Sequence, residues 1–253
     1  MTFSIIGRCA RTGAFGAAIT TSDLAVGGRC IRLSHGKGAM LSQHRTDSRL
    51  GDLGISLLAQ GATAAETVSK VAASSGDIEW RQIGALDAGG KAAVYHGRRM
   101  YSIYCHSIEK NCLALGNILA NDQVTVEMAI AFCKDDRLPL SERLMRALEA
   151  GRDAGGEILG PLRSAALRVT GEHGLDAQDL RVDISERTAV EDLRTLLDAY
   201  ADREELLRQV ALSPDTLPVM RSLFEASVER ISELRLEARF PTARRRDSWT
   251  LRD

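Results

Sequence analysis

Aromatic residues make up only 4 % of this 253-residue chain, and that scarcity sets aside two kinds of protein at once. Platforms that stack nucleobases or sugar rings are built from Phe, Tyr and Trp, so neither role is expected. An excess of one charge is missing too. Lys and Arg number 33 against 34 Asp and Glu, for a net charge of −1, whereas a dedicated nucleic-acid binder carries a basic surplus. No apolar run approaches the ~18 residues that read as a membrane span, and no charged-then-apolar leader opens the chain. The five cysteines (Cys9, Cys30, Cys105, Cys112, Cys133) are odd in number, scattered, and never in a Cys-x-x-Cys pair. That usage fits reduced thiols in the cytoplasm better than a disulfide framework or a zinc site. The five histidines (His35, His44, His96, His106, His173) lack the i, i+4 spacing of a helical metal site. The expectation is a cytoplasmic protein with no metal or cofactor, and no nucleic-acid or membrane partner.

What is present begins at once. Met1-Thr2-Phe3-Ser4-Ile5-Ile6 reads as a buried strand, with Phe3 and Ile5 on one face and Thr2, Ser4 and Ile6 on the other. Thr2 is small enough to favour removal of Met1. A terminal threonine is a complete nucleophilic device, its hydroxyl attacking while its own α-amine acts as base. Arg8 to Gly13 reads as a hairpin turn into a strand at 15–22, and His35-Gly36-Lys37-Gly38 as a tight turn joining strands at 30–33 and 39–42. From Arg49 to about Ser75 the period lengthens to that of a helix. Leu50, Leu53, Leu57 and Leu58 make one stripe ended by Gly61, and Thr63-Ala64-Ala65-Glu66 has capping-box spacing for a second helix.

Strands return at 80–86 and 91–96 around the Asp87-Ala88-Gly89-Gly90 turn, then at 100–104 and 112–115. Asn121 or Asp122 caps a helix bearing Val124, Met128 and Phe132, and another helix runs from Leu140 to a stop at Gly151. Strands are expected at 164–169 and 180–182. Beyond Thr188 three apolar stripes mark helices: Val190 to Tyr200, Leu206 to Val210, and Leu217 to Leu234. Grouped strands and grouped helices favour an α+β fold of antiparallel sheets with helices outside over a doubly wound parallel sheet. The long last stripe needs a partner surface, which points to a homo-oligomer. Arg244-Arg245-Arg246 reads as a solvated tail.

No nucleotide-binding glycine loop, His-Glu-x-x-His or Gly-x-Ser-x-Gly is present. What stands out is polar residues at the ends of strands: Ser22-Asp23, Gln43-His44-Arg45-Thr46-Asp47, Glu79 with Arg81-Gln82, His106, and Gly116-Asn117. Thr2 to Ile6, Thr12-Gly13, Phe15 to Ser22, Ala25 to Gly27, Gln43 to Asp47, Arg49 to Gly51, Leu57 to Gly61, Glu79 to Gln82, Gly116 to Ala120, Leu138 to Leu144, Arg163 to Leu167 and Asp179 to Asp183 together resemble the domain-of-unknown-function 1028 family over about residues 1–200. That family is grouped with the N-terminal-nucleophile (Ntn) hydrolases. The resemblance implies a four-layer αββα sandwich of two antiparallel sheets for residues 1–200, with 201–253 a helical C-terminal extension. It makes Thr2 the leading nucleophile, Asn117, on a strand-end loop, the oxyanion donor, and Asp23 the group that orients the terminal amine. Gln43, His44 and Arg81 become substrate-binding residues, the guanidinium matching an anionic group. Where many relatives carry Asp, Arg and Gln, this chain has Glu157, Leu159 and Arg163, which implies a different substrate.

Three readings follow. The first is a small-molecule amidohydrolase acting through Thr2 on an N-acyl or cyclic amide. The second is a non-catalytic ligand-binding or assembly protein on the same fold. The third is an isomerisation or deamination centred on His44, Asp47 and Arg81.

Overall fold

The computed structural model describes residues 1–171, 177–213 and 221–239. The chain divides into two compact units, Met1–Ala201 and Asp202–Asp253. Among the described residues of the first, ten strands form two antiparallel sheets. The larger has the order β10-β9-β2-β1-β8-β7, from β1 (Thr2–Arg8), β2 (Phe15–Thr21), β7 (Ile103–Glu109), β8 (Cys112–Leu119), β9 (Ser164–Val169) and β10 (Gln178–Val182). The smaller has the order β3-β4-β5-β6, from β3 (Ile31–Ser34), β4 (Gly38–Gln43), β5 (Gln82–Asp87) and β6 (Ala92–His96).

Side-chain alternation explains the layering. In β1, Phe3 and Ile5 join a core with helices α4 (Gln123–Cys133), α5 (Leu140–Asp153) and α6 (Ala189–Ala201), while Ile6 faces the other way. Ile6, Ile19, Leu113 and Leu115 of the larger sheet meet Ala39, Leu41 and Leu86 of the smaller one. Met40, Ile83 and Ala85 point outward onto α2 (Ser48–Ala59) and α3 (Ala64–Ala73). Three apolar seams therefore separate helices, sheet, sheet and helices. Because both faces of each central strand are covered, β1 and β2 are buried nearly end to end.

Local signals account for many boundaries. The Thr63 hydroxyl accepts from Glu66 N while the Glu66 carboxylate accepts from Thr63 N, a complete capping box. Asp47 caps α2 by accepting from Arg49 N at 3.0 Å. Asn121 rather than Asp122 accepts from Gln123 N at the start of α4. Four expectations are corrected. Residues 26–30, expected to be loop and strand, form the short helix α1 (Val26–Cys30), where Gly27 lets the backbone lie against Ala166. Gly151 does not end α5: it lies within the helix at a close approach to Met128 and Phe3 that a larger residue would block. Strand β7 starts and ends later than expected, running on to a tight turn where Asn111 has φ 63°. Most important, Asn117 lies inside β8 rather than on a strand-end loop, paired with Thr2 on one side and Tyr104 on the other.

The second unit contains α7 (Glu204–Leu212), α8 (Arg221–Glu233) and α9 (Leu236–Arg239) among its described residues. Leu217, Met220 and Arg244 to Arg246 lie outside the described residues, as does His173. Among the described residues no helix is long and apolar enough to cross a membrane.

The position of β1 depends on a missing side chain. A methyl group on Gly7 would overlap the ring of Phe132, which is fully buried on α4. Gly7→Ala is expected to destabilise the protein by about 1–3 kcal/mol through overpacking, read as a lower urea midpoint with unchanged slope.

Candidate functional site

One end of the seam between the sheets is polar. Thr2 and Ser4 share the face of β1 that carries Ile6 into that seam. Ser4 Oγ donates to Gln43 Oε1 at 2.9 Å, Gln43 Nε2 donates to Gln82 Oε1 at 2.6 Å, and Asn117 Nδ2 donates to the same oxygen at 2.9 Å. Gln82 Nε2 donates to the Gly116 carbonyl at 2.9 Å and lies 3.1 Å from His96 Nδ1. His96 Nε2 in turn lies 2.9 Å from Nδ1 of His106. Burial and the neighbouring His106 push the His96 pKa down to about 4, so this pair is neutral at physiological pH. Ser4, Gln43, Gln82 and Asn117 are completely buried. Asn117 Oδ1 is the one amide atom of the set left without a partner.

Beside this network, at the tip of β1, lies a hollow of about 150 Å³. Met1, Thr2, Thr21, His44, Arg45 and Thr46 line it, with Asp23 and Arg29 at its side. The Met1 carbonyl sits between two hydroxyls and accepts from both Thr2 Oγ1 and Thr21 Oγ1; the hydroxyls are 3.5 Å apart. His44 Nδ1 donates to the Trp80 carbonyl at 2.6 Å, which leaves Nε2 as the acceptor, buried and without a partner. Burial, aided by the positive chain terminus, Arg45 and Arg81, lowers the His44 pKa and keeps that nitrogen free of its proton. Arg45 stacks 4.1 Å over the Trp80 ring and makes no ion pair with a described residue.

The backbone around the hollow is strained. Ala25, His44, Arg45 and Ile118 all have φ between 48° and 55°. For the β-branched Ile118, next to Asn117, this is a costly conformation that packing must hold in place.

A carboxylate stands behind the hydroxyls. Glu157, 8 % exposed, accepts from Ser22 N at 3.1 Å and 3.3 Å, with the Thr21 hydroxyl beside it. Burial outweighs these bonds and the nearby chain terminus, and pushes its pKa up to about 7.

The sites expected from sequence divide accordingly. Thr2, Asn117 and His44 are brought together. Gln43 is a strut between the sheets: both ends of its amide are engaged in the interior, and it does not line the hollow. Asp23 borders the hollow, but its carboxylate is tied to Arg29 at 3.3 Å and to Leu24 N at 2.8 Å, so it faces outward rather than holding the terminal amine. Arg81 is near enough for its charge to act on His44 and Asp47, with Nε buried and unpartnered, yet it does not line the hollow. Asp47 is paired with Arg49 and caps α2, and it does not line the hollow. Sequence reasoning missed Thr21, Arg45 and Glu157 as site residues. Arg45 stands inside the quoted Gln43-to-Asp47 cluster, so a signal existed; Glu157 gave none beyond its difference from relatives. Among the described residues no three His, Cys, Asp or Glu side chains are grouped to hold a metal.

Two antiparallel sheets flanked by helices, with a polar hollow at the start of a central strand, define the class. The chain belongs to a family of unknown function, DUF1028, whose model matches residues 2–193. Among solved structures it is similar to the crystal structure of protein SPO2555 from Silicibacter pomeroyi, also of DUF1028. The two share 29 % sequence identity with a TM-score of 0.76, over 87 % of this chain and 92 % of that one. No curated protein matches.

Glu157 sets a pH dependence of known sign. Its folded pKa of about 7 lies above the ordinary value of 4.5, so between those limits the folded state holds more protons than the unfolded one. Its contribution to stability therefore falls as pH rises through that window, by up to about 3 kcal/mol. Glu157→Gln is expected to be more stable than the parent at pH 8 and to converge on it near pH 5, read from paired denaturation curves.

Proposed function

We propose that this protein is an N-terminal-nucleophile amidohydrolase with an Ntn-hydrolase-like sandwich, Thr2 becoming the terminus once Met1 is removed. The observation that carries the reading is the Met1 carbonyl held between the Thr2 and Thr21 hydroxyls at the mouth of the hollow. Cleavage after Met1 takes that carbonyl away, frees both hydroxyls, and leaves the new α-amine at the same point.

The surrounding groups then take complementary roles. Asn117, cross-strand partner of Thr2, has an acceptor oxygen with nothing to accept, and the new amine supplies the donor. Its Nδ2 already gives one proton to Gln82; the second is the donor available to an oxyanion. Thr2 Oγ attacks the carbonyl carbon of a small amide and passes its proton to the α-amine. The tetrahedral intermediate collapses, the C–N bond breaks, and the departing nitrogen takes that proton. Water, activated by the same amine, releases the acid and restores Thr2. Glu157, behind Thr21 and with a pKa near neutrality, exchanges protons with this hydroxyl pair. Arg45, stacked on Trp80 and free of any described carboxylate, is the anchor for an anionic group on the substrate, and His44 Nε2 accepts from an N–H. The substrate class is accordingly a small amide bearing a carboxylate.

One observation favours a second reading, ligand binding without turnover: with Met1 in place its carbonyl fills the position a substrate would need.

Intact mass and active-site labelling separate the two. The purified protein is expected to lack one methionine residue, and a β-lactone probe to acylate its N-terminal peptide. Thr2→Ala should abolish labelling and lower amide turnover by at least about 10³-fold, with the melting temperature held. Retention of Met1 in labelled protein, or labelling that survives Thr2→Ala, would overturn the hydrolase.

A further inference from the structure

The far end of β1 carries a second cavity, about 20 Å from Thr2 at ~3.3 Å per residue along the strand. It measures about 160 Å³ and opens where the β1–β2 turn, the β7–β8 turn and the α4–α5 junction meet. Arg8, Arg11, Lys110 and Arg143 line it, against a single acid, Asp136. None of the four cations forms an ion pair with a described residue. Elsewhere the chain treats its guanidinium groups differently: Arg194, for instance, is held by Glu142 at 2.6 Å and Glu149 at 2.8 Å.

The basic groups are also fixed in place. Arg143 is 6 % exposed, donates through Nε to the Phe132 carbonyl at 3.0 Å, and lies 4.0 Å over the Phe132 ring. Those contacts hold its charge but do not neutralise it. Arg8 has Nε buried with no partner, and one terminal nitrogen 3.4 Å from Asn111 Oδ1. Arg11 is anchored by the Arg137 and Leu138 carbonyls at 2.9 Å and 3.3 Å. Cation clustering of this kind opposes folding unless a counter-charge joins it.

We propose that this cavity is a binding site for a phosphate group, separate from the Thr2 hollow. Fixed guanidinium forks match phosphate oxygens, and four cations against one acid suit a dianion. The volume is too small for an extended polyanion and fits one phosphate with a short substituent. Cys9 also lines the cavity; burial raises its pKa, but hydrogen bonds with Thr12 and the Arg11 backbone, with a smaller contribution from the Arg11 charge, leave it lowered.

Titration calorimetry of the full chain with inorganic phosphate, at ionic strength matched with chloride, tests the site. Saturable one-to-one binding is expected. Affinity should fall at least tenfold in Arg8→Gln and in Lys110→Gln, and stay unchanged in Arg45→Gln and Thr2→Ala. Lys110 sits on an exposed turn, so its variant decides the matter if Arg8→Gln does not fold. Methyl phosphate binding as well as phosphate identifies a phosphomonoester ligand; weaker binding of methyl phosphate identifies free phosphate. Absence of saturable binding, stronger binding of malonate than of phosphate, or loss of binding in Arg45→Gln with Lys110→Gln intact would overturn the assignment.

Discussion

The amide of Gln82 holds the two sheets in register where it matters. It accepts from Gln43 on its own sheet and from Asn117 on the other, donates to the Gly116 carbonyl, and meets His96. A carboxamide can do all of this at once because it offers two donors and two acceptor positions. An apolar replacement would fill the volume but strand four partners, and unpaired buried polar groups are expensive. The network is therefore more than adhesive: by consuming the amides of Gln43 and Gln82 it leaves a single polar atom, Asn117 Oδ1, unengaged beside the first residue of β1.

That arrangement separates two kinds of polar residue that look alike in a sequence. Gln43 and His44 are neighbours, yet one braces the interior and the other lines a hollow. The left-handed backbone at His44 and Arg45 causes the divergence. It ends the period-two alternation of β4 and redirects both side chains to the rim, where Trp80 receives them through its carbonyl and its ring. Similar left-handed backbone occurs at Ala25, next to the hollow's Val26, and at Ile118, next to Asn117. A geometry this costly persists only where neighbouring contacts enforce it.

The parts of the fold legible in the sequence were those decided locally. Alternation along 2–6 gave the facing of β1, the Thr63–Glu66 spacing gave the start of α3, and 164–169 was readable as a strand end to end. The grouping of strands and helices pointed to antiparallel sheets with helices outside, and Thr2 and His44, both singled out in the sequence, line the same hollow. The illegible parts were decided by partners distant in sequence. Gly116-Asn117 has the composition of a turn, and becomes strand because β1 and β7 claim both of its edges. Gly151 has the composition of a helix stop, and stays in helix because Met128 needs the space. Glu157 lies in a glycine-bounded loop that ordinarily faces water; its pairing with Leu119 draws it inward. No window of local sequence contains that information.

β1 lies between β2 and β8, and Met1 lines the hollow at its tip. Anything joined ahead of Met1 therefore starts at the rim of that opening. An affinity tag or fusion partner at that end would crowd the hollow and keep Thr2 from becoming the terminus.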